Sequence, residues 1–250
     1  MDYMNIQIFG YGFVGKAHAL AFSPDYSIYD PALGHTEIND DADAVIIAVS
    51  TPSAFPNNGC DMVNVFDAIS QAPHAPILIK STISLEGWRQ IKEQFPDKDI
   101  TFSPEFLRAQ SAMEDFKAQE VCYVGGDNTL FWSGVLTRHL GVRIEVGEPE
   151  ALIIAKYMRN SFLATKVAFF NQVYDLCKNP NVDVDYSEVC HFITDDSRIG
   201  NSHTFVTDDR GFGGHCFPKD VMAIMETAYV YGEYLSIINE AKNYNDRIRK

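Results

Sequence analysis

The sequence predicts an α/β protein, in which a doubly wound and mostly parallel sheet is followed by an all-helical domain with a long core helix. Short apolar runs alternate with helical patterns in the first part of the chain, as they do where helices cover both faces of a parallel sheet. A glycine-rich turn separates the first apolar run from the first helical pattern. After residues 147–149 glycine and proline disappear, and a helical pattern of roughly 28 residues begins.

The elements follow one another along the chain. Runs rich in Val, Ile and Phe, bounded by turn residues, predict strands over 5–9, 26–30, 44–49, 76–80, 100–102, 121–124 and 142–146. Helical periodicity predicts helices over 14–22, 61–71, 85–95, 128–139, 150–178, 187–193, 220–231 and 233–249. The change of pattern near residue 147 predicts a sheet domain over 1–147 and a helical domain over 148–250.

Composition and charge exclude several classes of partner. The 250 residues are 46% apolar, enough for a buried core, and 20 Lys and Arg against 34 Asp and Glu give a net charge of −14. Because nucleic acid and anionic membranes attract basic surfaces, neither is expected as the main partner. No apolar run is long enough to span a bilayer, and no signal-peptide pattern opens the chain. Five cysteines without a C-x-x-C spacing predict no disulfide framework and no metal site, which favours a reducing cytoplasm.

The glycine-rich turn predicts a dinucleotide site of the Rossmann type. Gly10, Gly12 and Gly15 would allow a tight turn, close approach of a pyrophosphate, and packing of the helix on the strand. Asp30 stands 20 residues after Gly10, at the end of the next predicted strand. A carboxylate there binds ribose hydroxyls and repels a 2′-phosphate, which favours NAD over NADP. The alternative is a structural turn with a surface aspartate beside Pro31.

Polar residues follow three further predicted strands. Residues 50–52 (STP), 81–82 (ST) and Glu105 each lie just past a strand, at the edge where open α/β sheets bind ligands. Each serine–threonine pair is equally compatible with a helix cap or a turn. Glu105 is compatible with a general base, an orienting acid or a first-turn glutamate.

A second group of candidates lies in the helical part. Lys156 and Asn160 share one face of the long helix and could stabilise a developing oxyanion, or form a solvated stripe. In GFGGHCFPKD (211–220), Cys216 precedes a predicted helix start at Asp220, a setting suited to a reactive thiolate. Lys219 adds positive charge and Asp220 a base, while an inert buried cysteine is the alternative. We interpret the other four cysteines as small apolar residues.

Together these motifs resemble the nucleotide-sugar dehydrogenases of the UDP-glucose/GDP-mannose dehydrogenase family. The matching segments run in order: GYGFVG at 10–15, STP at 50–52, KSTI at 80–83, SPEFLR at 103–108, KYMRNSFLATKVAFFN at 156–171, DSRIG at 196–200 and GFGGHCFPKD at 211–220. The SPEFLR and CFPKD segments resemble the branch that acts on glucose. Departures at 109–110, 118–120 and 172 remove no proposed catalytic residue. Family members continue past the helix near residue 250 with an α/β domain that holds the uridine half of the substrate.

The resemblance implies a four-electron oxidation of UDP-glucose to UDP-glucuronate that consumes two NAD⁺. It implies catalytic roles for Cys216, Lys156, Asn160, Asp220, Glu105 and Thr82, in which the cysteine forms a thiohemiacetal and then a thioester. It implies that the cofactor is bound by Gly10, Gly12, Phe13, Val14, Gly15, Asp30, Thr51 and Thr82. It implies that the substrate is bound by Glu105, Phe106, Leu107, Lys156, Asn160, Arg198, Phe212, Gly213, Gly214 and Lys219.

The resemblance also implies a homodimer built on the long helix, with Arg198 reaching a substrate across the dimer. Two other functions remain open. A two-electron β-hydroxyacid dehydrogenase shares the Rossmann fold, the long helix and the Lys-x-x-x-Asn pair. An NAD-binding module could instead assemble with a partner that supplies the substrate-binding domain.

Overall fold

The computed structural model describes residues 4–52, 60–107, 111–214 and 216–250. The chain divides into two compact units, one over residues 1–156 and the other over residues 157–250. The division falls inside the long helix, whereas the sequence pattern places the boundary near residue 147, before that helix begins.

The first unit is built on a sheet that confirms the predicted doubly wound α/β class. Its strands are β1 Ile6–Phe9, β2 Tyr26–Tyr29, β3 Ala44–Ile47, β4 Ile77–Ile79, β5 Ile100–Phe102, β6 Val121–Gly126 and β7 Arg143–Val146. The spatial order is β2-β1-β3-β4-β5-β6-β7. Strands β1 to β5 run parallel, β6 is antiparallel to β5, and β7 is parallel to β6. The reversal at β6 was not predicted, because an apolar run does not encode the direction in which its strand pairs.

The central strands are mostly apolar because they are buried on both faces. Every residue of β1, β3, β4 and β5 is buried, and Ile6, Ile8 and Ile46 belong to one core cluster with Trp132. Burying each such side chain stabilises the fold by about 1.5–3 kcal/mol. The covering helices are α1 Phe13–Ala21, α2 Val63–Gln71, α3 Leu85–Gln94, α4 Ala112–Lys117 and α5 Thr129–Leu140. Helix α4 was not predicted, since its six residues are too few to show a helical period.

The remaining helices agree with the predicted ones within a few residues. They are α6 Pro149–Cys177, α7 Tyr186–Thr194, α8 Phe217–Val230 and α9 Ser236–Ile248. In the second unit, α6, α8 and α9 share a core cluster that includes Ala164, Phe212, Val221 and Tyr244. None of the helices in the described parts of the chain is both long and apolar enough to cross a membrane.

Candidate active site

Five of the candidate residues follow the carboxyl ends of neighbouring parallel strands in the first unit. Gly10 comes directly after β1, Asp30 after β2, Thr51 after β3, Thr82 after β4 and Glu105 after β5. Since β2, β1, β3, β4 and β5 are adjacent and parallel in that order, these residues lie along one edge of the sheet. This is the edge at which open α/β sheets bind ligands.

The glycine turn has the geometry that a dinucleotide requires. Gly10 has a φ of +88°, and a Cβ on it would lie 2.7 Å from the carbonyl oxygen of Ala48. A Cβ on Gly15 would lie 2.0 Å from the carbonyl oxygen of Gly10, so this glycine allows α1 to pack on the turn. Gly12, the N-cap of α1, has open space where a Cβ would be. The backbone at the start of α1 is therefore accessible to an anion.

A cavity of about 280 Å³ lies beside this turn and is lined by Gly10, Asp30, Val49 and Ser50 among others. Asp30 accepts a hydrogen bond from the backbone N–H of Tyr11 through Oδ2 at 2.8 Å, which fixes the carboxylate at the cavity wall. An acid at this place, with an open helix N-terminus beside it, fits the ribose and pyrophosphate of a dinucleotide. Phe13 and Val14, which are also expected to contact the cofactor, are the first two residues of α1. Phe13 is exposed and Val14 is half-buried.

The residues after β3 and β4 do not cap helices. Thr51 is buried and Thr82 is half-buried, and the Ser81 hydroxyl donates to the carbonyl oxygen of Val49 at 2.8 Å. Helix α3 is capped instead by Ser84, whose Oγ accepts the N–H of Gly87 at 2.9 Å. The helix-cap alternative for residues 81–82 is therefore wrong.

Glu105 is part of a buried charge cluster that sequence analysis did not predict. The Lys80 ammonium lies 3.1 Å from Oε2 of Glu105 and donates to Oγ of Ser103 at 3.0 Å. Oε1 of Glu105 accepts the backbone N–H of Phe106 at 3.0 Å. Burial by itself raises the pKa of the Glu105 carboxyl, but Lys80 above all outweighs it, so the pKa lies below its usual range. Glu105 is thus an ionised, firmly held carboxylate at neutral pH.

His18 extends this cluster into α1. It is fully buried, its Nδ1 lies 3.0 Å from the carbonyl oxygen of Val14, and its ring meets Phe116 edge-on. Burial, and then the charge of Lys80, lower the pKa of His18 to about 4, so the ring is neutral at pH 7. A lysine ending the apolar run at 76–80 was the one sequence signal for this cluster.

The second unit holds the cysteine group. Cys216 is exposed and is the N-cap residue of α8, whereas the other cysteines are buried or half-buried. Asp220 lies in the first turn of α8 with 1% of its surface exposed. Its Oδ2 accepts a hydrogen bond from Nδ2 of Asn160 at 2.6 Å, and its Oδ1 lies 3.0 Å from the Lys219 ammonium. The structure therefore brings four predicted residues together around the start of one helix.

The glycines before Cys216 have different surroundings. Phe212 is buried, and the Arg249 guanidinium lies so close to Gly213 that a Cβ there would come within 2.3 Å of it. Gly214 has a φ of +77° and open space around it. Close approach of a ligand to the backbone is therefore possible at Gly214.

The other predicted residues lie elsewhere in their own units. Lys156 is buried in α6, one turn before Asn160. Phe106 and Leu107 are half-buried, and the Phe106 ring contacts Tyr123 edge-on. Arg198 is exposed, and its Nε donates to Asp196 at 3.0 Å. Residue 108 of the SPEFLR segment, residue 215 of the GFGGHCFPKD segment and the departure at 109–110 lie outside the described residues.

Comparison with known proteins gives these features a context. The family model for the central domain of the UDP-glucose/GDP-mannose dehydrogenases matches residues 151–247. A UDP-glucose 6-dehydrogenase from Rhizobium meliloti is 31% identical over 233 residues, which cover 84% of this chain and 51% of that protein. The chain thus spans about half the length of the curated relatives it matches.

Many solved structures are similar to this chain, including two dehydrogenases. The UDP-glucose dehydrogenase of the archaeon Pyrobaculum islandicum superposes with a TM-score of 0.81 and 25% identity, over 98% of this chain and 68% of the other. A 3-hydroxyisobutyrate dehydrogenase from Mycobacterium tuberculosis reaches a TM-score of 0.71 at 18% identity, over 96% and 92%. The latter shares the fold. The family match, taken with the relatives and with the motifs at both candidate sites, shows that residues 151–247 of this chain belong to the central domain of the UDP-glucose/GDP-mannose dehydrogenase family.

Proposed function

We propose that the chain carries the catalytic part of an NAD-dependent UDP-glucose 6-dehydrogenase, which oxidises UDP-glucose to UDP-glucuronate. The observation that carries this proposal is the cysteine group. An exposed thiol at the start of α8 lies one turn before a buried aspartate that Asn160 and Lys219 hold in place. A nucleophile beside a held base suits a dehydrogenase that continues past the aldehyde.

The glycine turn fits NAD on the observations above. Gly10, Gly12, Phe13, Val14 and Gly15 would hold the pyrophosphate, Asp30 the adenosine ribose, and Thr51 and Thr82 the nicotinamide end. When bound, NAD⁺ accepts the two electrons and one hydrogen nucleus that leave the sugar in each oxidation. The carboxylate of Asp30 at the cavity wall disfavours a 2′-phosphate, so NADP should bind much more weakly.

The first oxidation converts the C6 alcohol to an aldehyde. Asp220, acting with a water, takes the hydroxyl proton, while Lys156 and Asn160 donate to the developing oxyanion. Asn160 already donates to Asp220, so one amide links the base to the oxyanion site.

The second oxidation uses Cys216. Its thiolate attacks the aldehyde carbon and forms a thiohemiacetal, which loses the C6 hydrogen with its electron pair and becomes a thioester. A water adds to the thioester, the C–S bond breaks, and the carboxylate and the free thiol are released. Thr82 and Glu105 would help to position that water. Because both Glu105 oxygens are engaged by Lys80 and Phe106, an orienting role suits Glu105 better than proton transfer.

The remaining residues would bind the sugar nucleotide. Two groups are expected to contribute, one at the sheet edge and one in the cysteine loop and the loop at 196–200. They are Glu105, Phe106 and Leu107, and then Arg198, Phe212, Gly213, Gly214 and Lys219.

We also propose a homodimer formed through α6. Within the second unit, Phe162, Phe169 and Leu176 recur every seven residues on this helix and are 68%, 54% and 61% exposed. An apolar seven-residue repeat is the pattern by which one helix packs along another. Phe162→Glu should give monomers in analytical ultracentrifugation, whereas Phe192→Glu, equally exposed on α7, should leave the dimer intact. A dimer that survives Phe162→Glu together with Phe169→Glu would contradict this assignment.

The activity is tested by following NADH absorbance with UDP-glucose and NAD⁺. Two NADH per sugar are expected, and Cys216→Ala should abolish the second oxidation, while Cys190→Ala, a half-buried thiol of the same unit, should retain it. One NADH per substrate with a β-hydroxyacid, and none with UDP-glucose, would instead indicate a two-electron dehydrogenase. Calorimetry that detects NAD but no UDP-glucose binding would indicate an NAD-binding module.

A further inference from the structure

The segment over residues 210–214, the 210–214 arm, enters the cysteine loop through an unusual backbone conformation. Arg210 and Gly211 are consecutive left-handed residues, with φ values of +57° and +56°, and Gly214 has a φ of +77°. Glycine adopts this conformation without strain, but Arg210 carries a side chain there. A left-handed non-glycine residue persists only where its surroundings hold it.

Two buried asparagines hold the start of the arm. Oδ1 of Asn171, on α6, accepts Nε of Arg210 at 2.8 Å and the N–H of Gly211 at 3.1 Å, and its Nδ2 donates to the Val167 carbonyl. Oδ1 of Asn245, on α9, accepts the N–H of Phe212 at 2.6 Å. Asn171 is 1% exposed and Asn245 5% exposed. Consecutive backbone N–H groups are thus bound by side chains from two different helices.

Charged groups complete this framework. Nη2 of Arg210 donates to Asp175, whose other oxygen accepts the Tyr244 hydroxyl. Nη1 of Arg249 donates to the carbonyl oxygen of Arg210 at 2.8 Å. At the start of the arm, backbone N–H groups, a backbone carbonyl oxygen and the Arg210 side chain are therefore all held by hydrogen bonds.

Cys216 is held differently. Its carbonyl oxygen accepts the N–H of Asp220 at 2.9 Å, so its place is set by α8. We infer that Asn171 and Asn245 are positioning residues that fix the 210–214 arm for binding the sugar nucleotide and leave the thiol to α8. This inference rests on the proposed function, since the arm contains Phe212, Gly213 and Gly214.

The test measures how UDP-glucose protects Cys216 from iodoacetamide, with the modified peptide quantified by mass spectrometry. Asn245→Ala leaves the buried N–H of Phe212 without its acceptor, and we expect about tenfold more UDP-glucose for half-protection. The alkylation rate without ligand should stay within about twofold of the wild-type rate, because α8 is untouched. Asn245→Asp, which keeps an acceptor oxygen, should recover most of the protection. Asn243→Ala, two residues away on α9, is the matched control.

The inference would be overturned if Asn245→Ala and the wild-type protein needed the same UDP-glucose concentration for half-protection of Cys216. So would a loss of protection that is accompanied by faster alkylation of the buried Cys177, because that result indicates general unfolding.

A second measurement is independent of any ligand. Hydrogen exchange of the amides of residues 211–212 should become at least about tenfold faster in Asn171→Ala and Asn245→Ala, with exchange in α8 unchanged. Exchange that stays slow, or that rises equally in α8, would refute the positioning role. If UDP-glucose gives no protection even to the wild-type protein, the proposed function fails, and hydrogen exchange alone decides whether the asparagines hold the arm.

Discussion

Breaking the Lys80–Glu105 pair should destabilise the first unit much more than breaking an exposed pair. The two side chains are 1% and 6% exposed, and their charged atoms are 3.1 Å apart. At an effective dielectric constant of about 20, that separation corresponds to an attraction of about 5 kcal/mol. Lys80→Met leaves the Glu105 charge buried without its partner, a loss that typically costs about 3–5 kcal/mol. Because the N–H of Phe106 still binds Glu105, we expect a value near the lower end.

The assay is urea unfolding followed by tryptophan fluorescence. The chain has two tryptophans, and both Trp88 and Trp132 are buried in the first unit, so the signal reports the unit that contains the pair. The matched control is Lys92→Met, which breaks the Lys92–Asp127 pair, whose side chains are 33% and 40% exposed. That substitution should cost less than about 1 kcal/mol.

A double variant separates the ion pair from other effects of the substitution. Lys80→Met with Glu105→Gln removes both charges of this pair, so it should be more stable than Lys80→Met alone. The pKa of Glu105 is lowered in the folded state, so the stability it contributes is present above about pH 4.3 and is lost as the pH falls through the folded pKa. The reasoning is refuted if Lys80→Met lowers the free energy of unfolding no more than Lys92→Met does. It is also refuted if the double variant loses the sum of what Lys80→Met and Glu105→Gln each lose alone.

The remaining predictions concern α1, the glycine turn and the Asp30 carboxylate beside that turn. The pKa of His18 falls to about 4 in the folded protein, so protonation favours unfolding as the pH falls from 6.5 to 4. Urea unfolding at a series of pH values should show that His18→Gln removes about 3 kcal/mol of this loss of stability. His74→Gln, at an exposed position, should not remove it. Gly15→Ala should lower the unfolding free energy by about 3 kcal/mol, because its methyl group would lie 2.0 Å from a carbonyl oxygen. Gly12→Ala, where the space is open, should leave the unfolding curve unchanged and raise the Kd for NAD at least about tenfold in calorimetry; equal effects of the two substitutions on stability would contradict this. Asp30→Gln should narrow the preference for NAD over NADP, and an unchanged ratio of the two Kd values would show that Asp30 does not face the ribose.

The sheet and the long helices could be predicted because their signals are repeated. Strands β3 and β4 are continuous apolar runs, and α6 extends over 29 residues. The reversed direction of β6 and the six-residue α4 leave no comparable periodic signal. Local hydrophobicity indicates which residues are buried, but it does not indicate which strand pairs with which or in which direction.

Site residues that lie within one compact motif could be predicted from the sequence. Site residues that are brought together by the pairing of two strands could not. The Lys80 cluster arises because Ile79 and Phe102 are register partners on β4 and β5, which brings the next residues, Lys80 and Ser103, together. No sequence pattern gives that register. The sequence pattern predicts that α8 starts at Asp220, but the helix begins at Phe217, since a proline is compatible with the first turn of a helix.

The glycine turn also indicates how this chain would diverge from its relatives. Gly15 is required by packing against Gly10, whereas Gly12 has open space around it. Selection on folding is therefore expected at Gly15, whereas under the proposed function selection on dinucleotide binding is expected at Gly12. In a lineage that had lost the cofactor but kept the fold, Gly15 should persist while Gly12 drifts to other small residues. The residues at these two positions in a descendant would then distinguish a protein that still binds the cofactor from one that has kept only the fold.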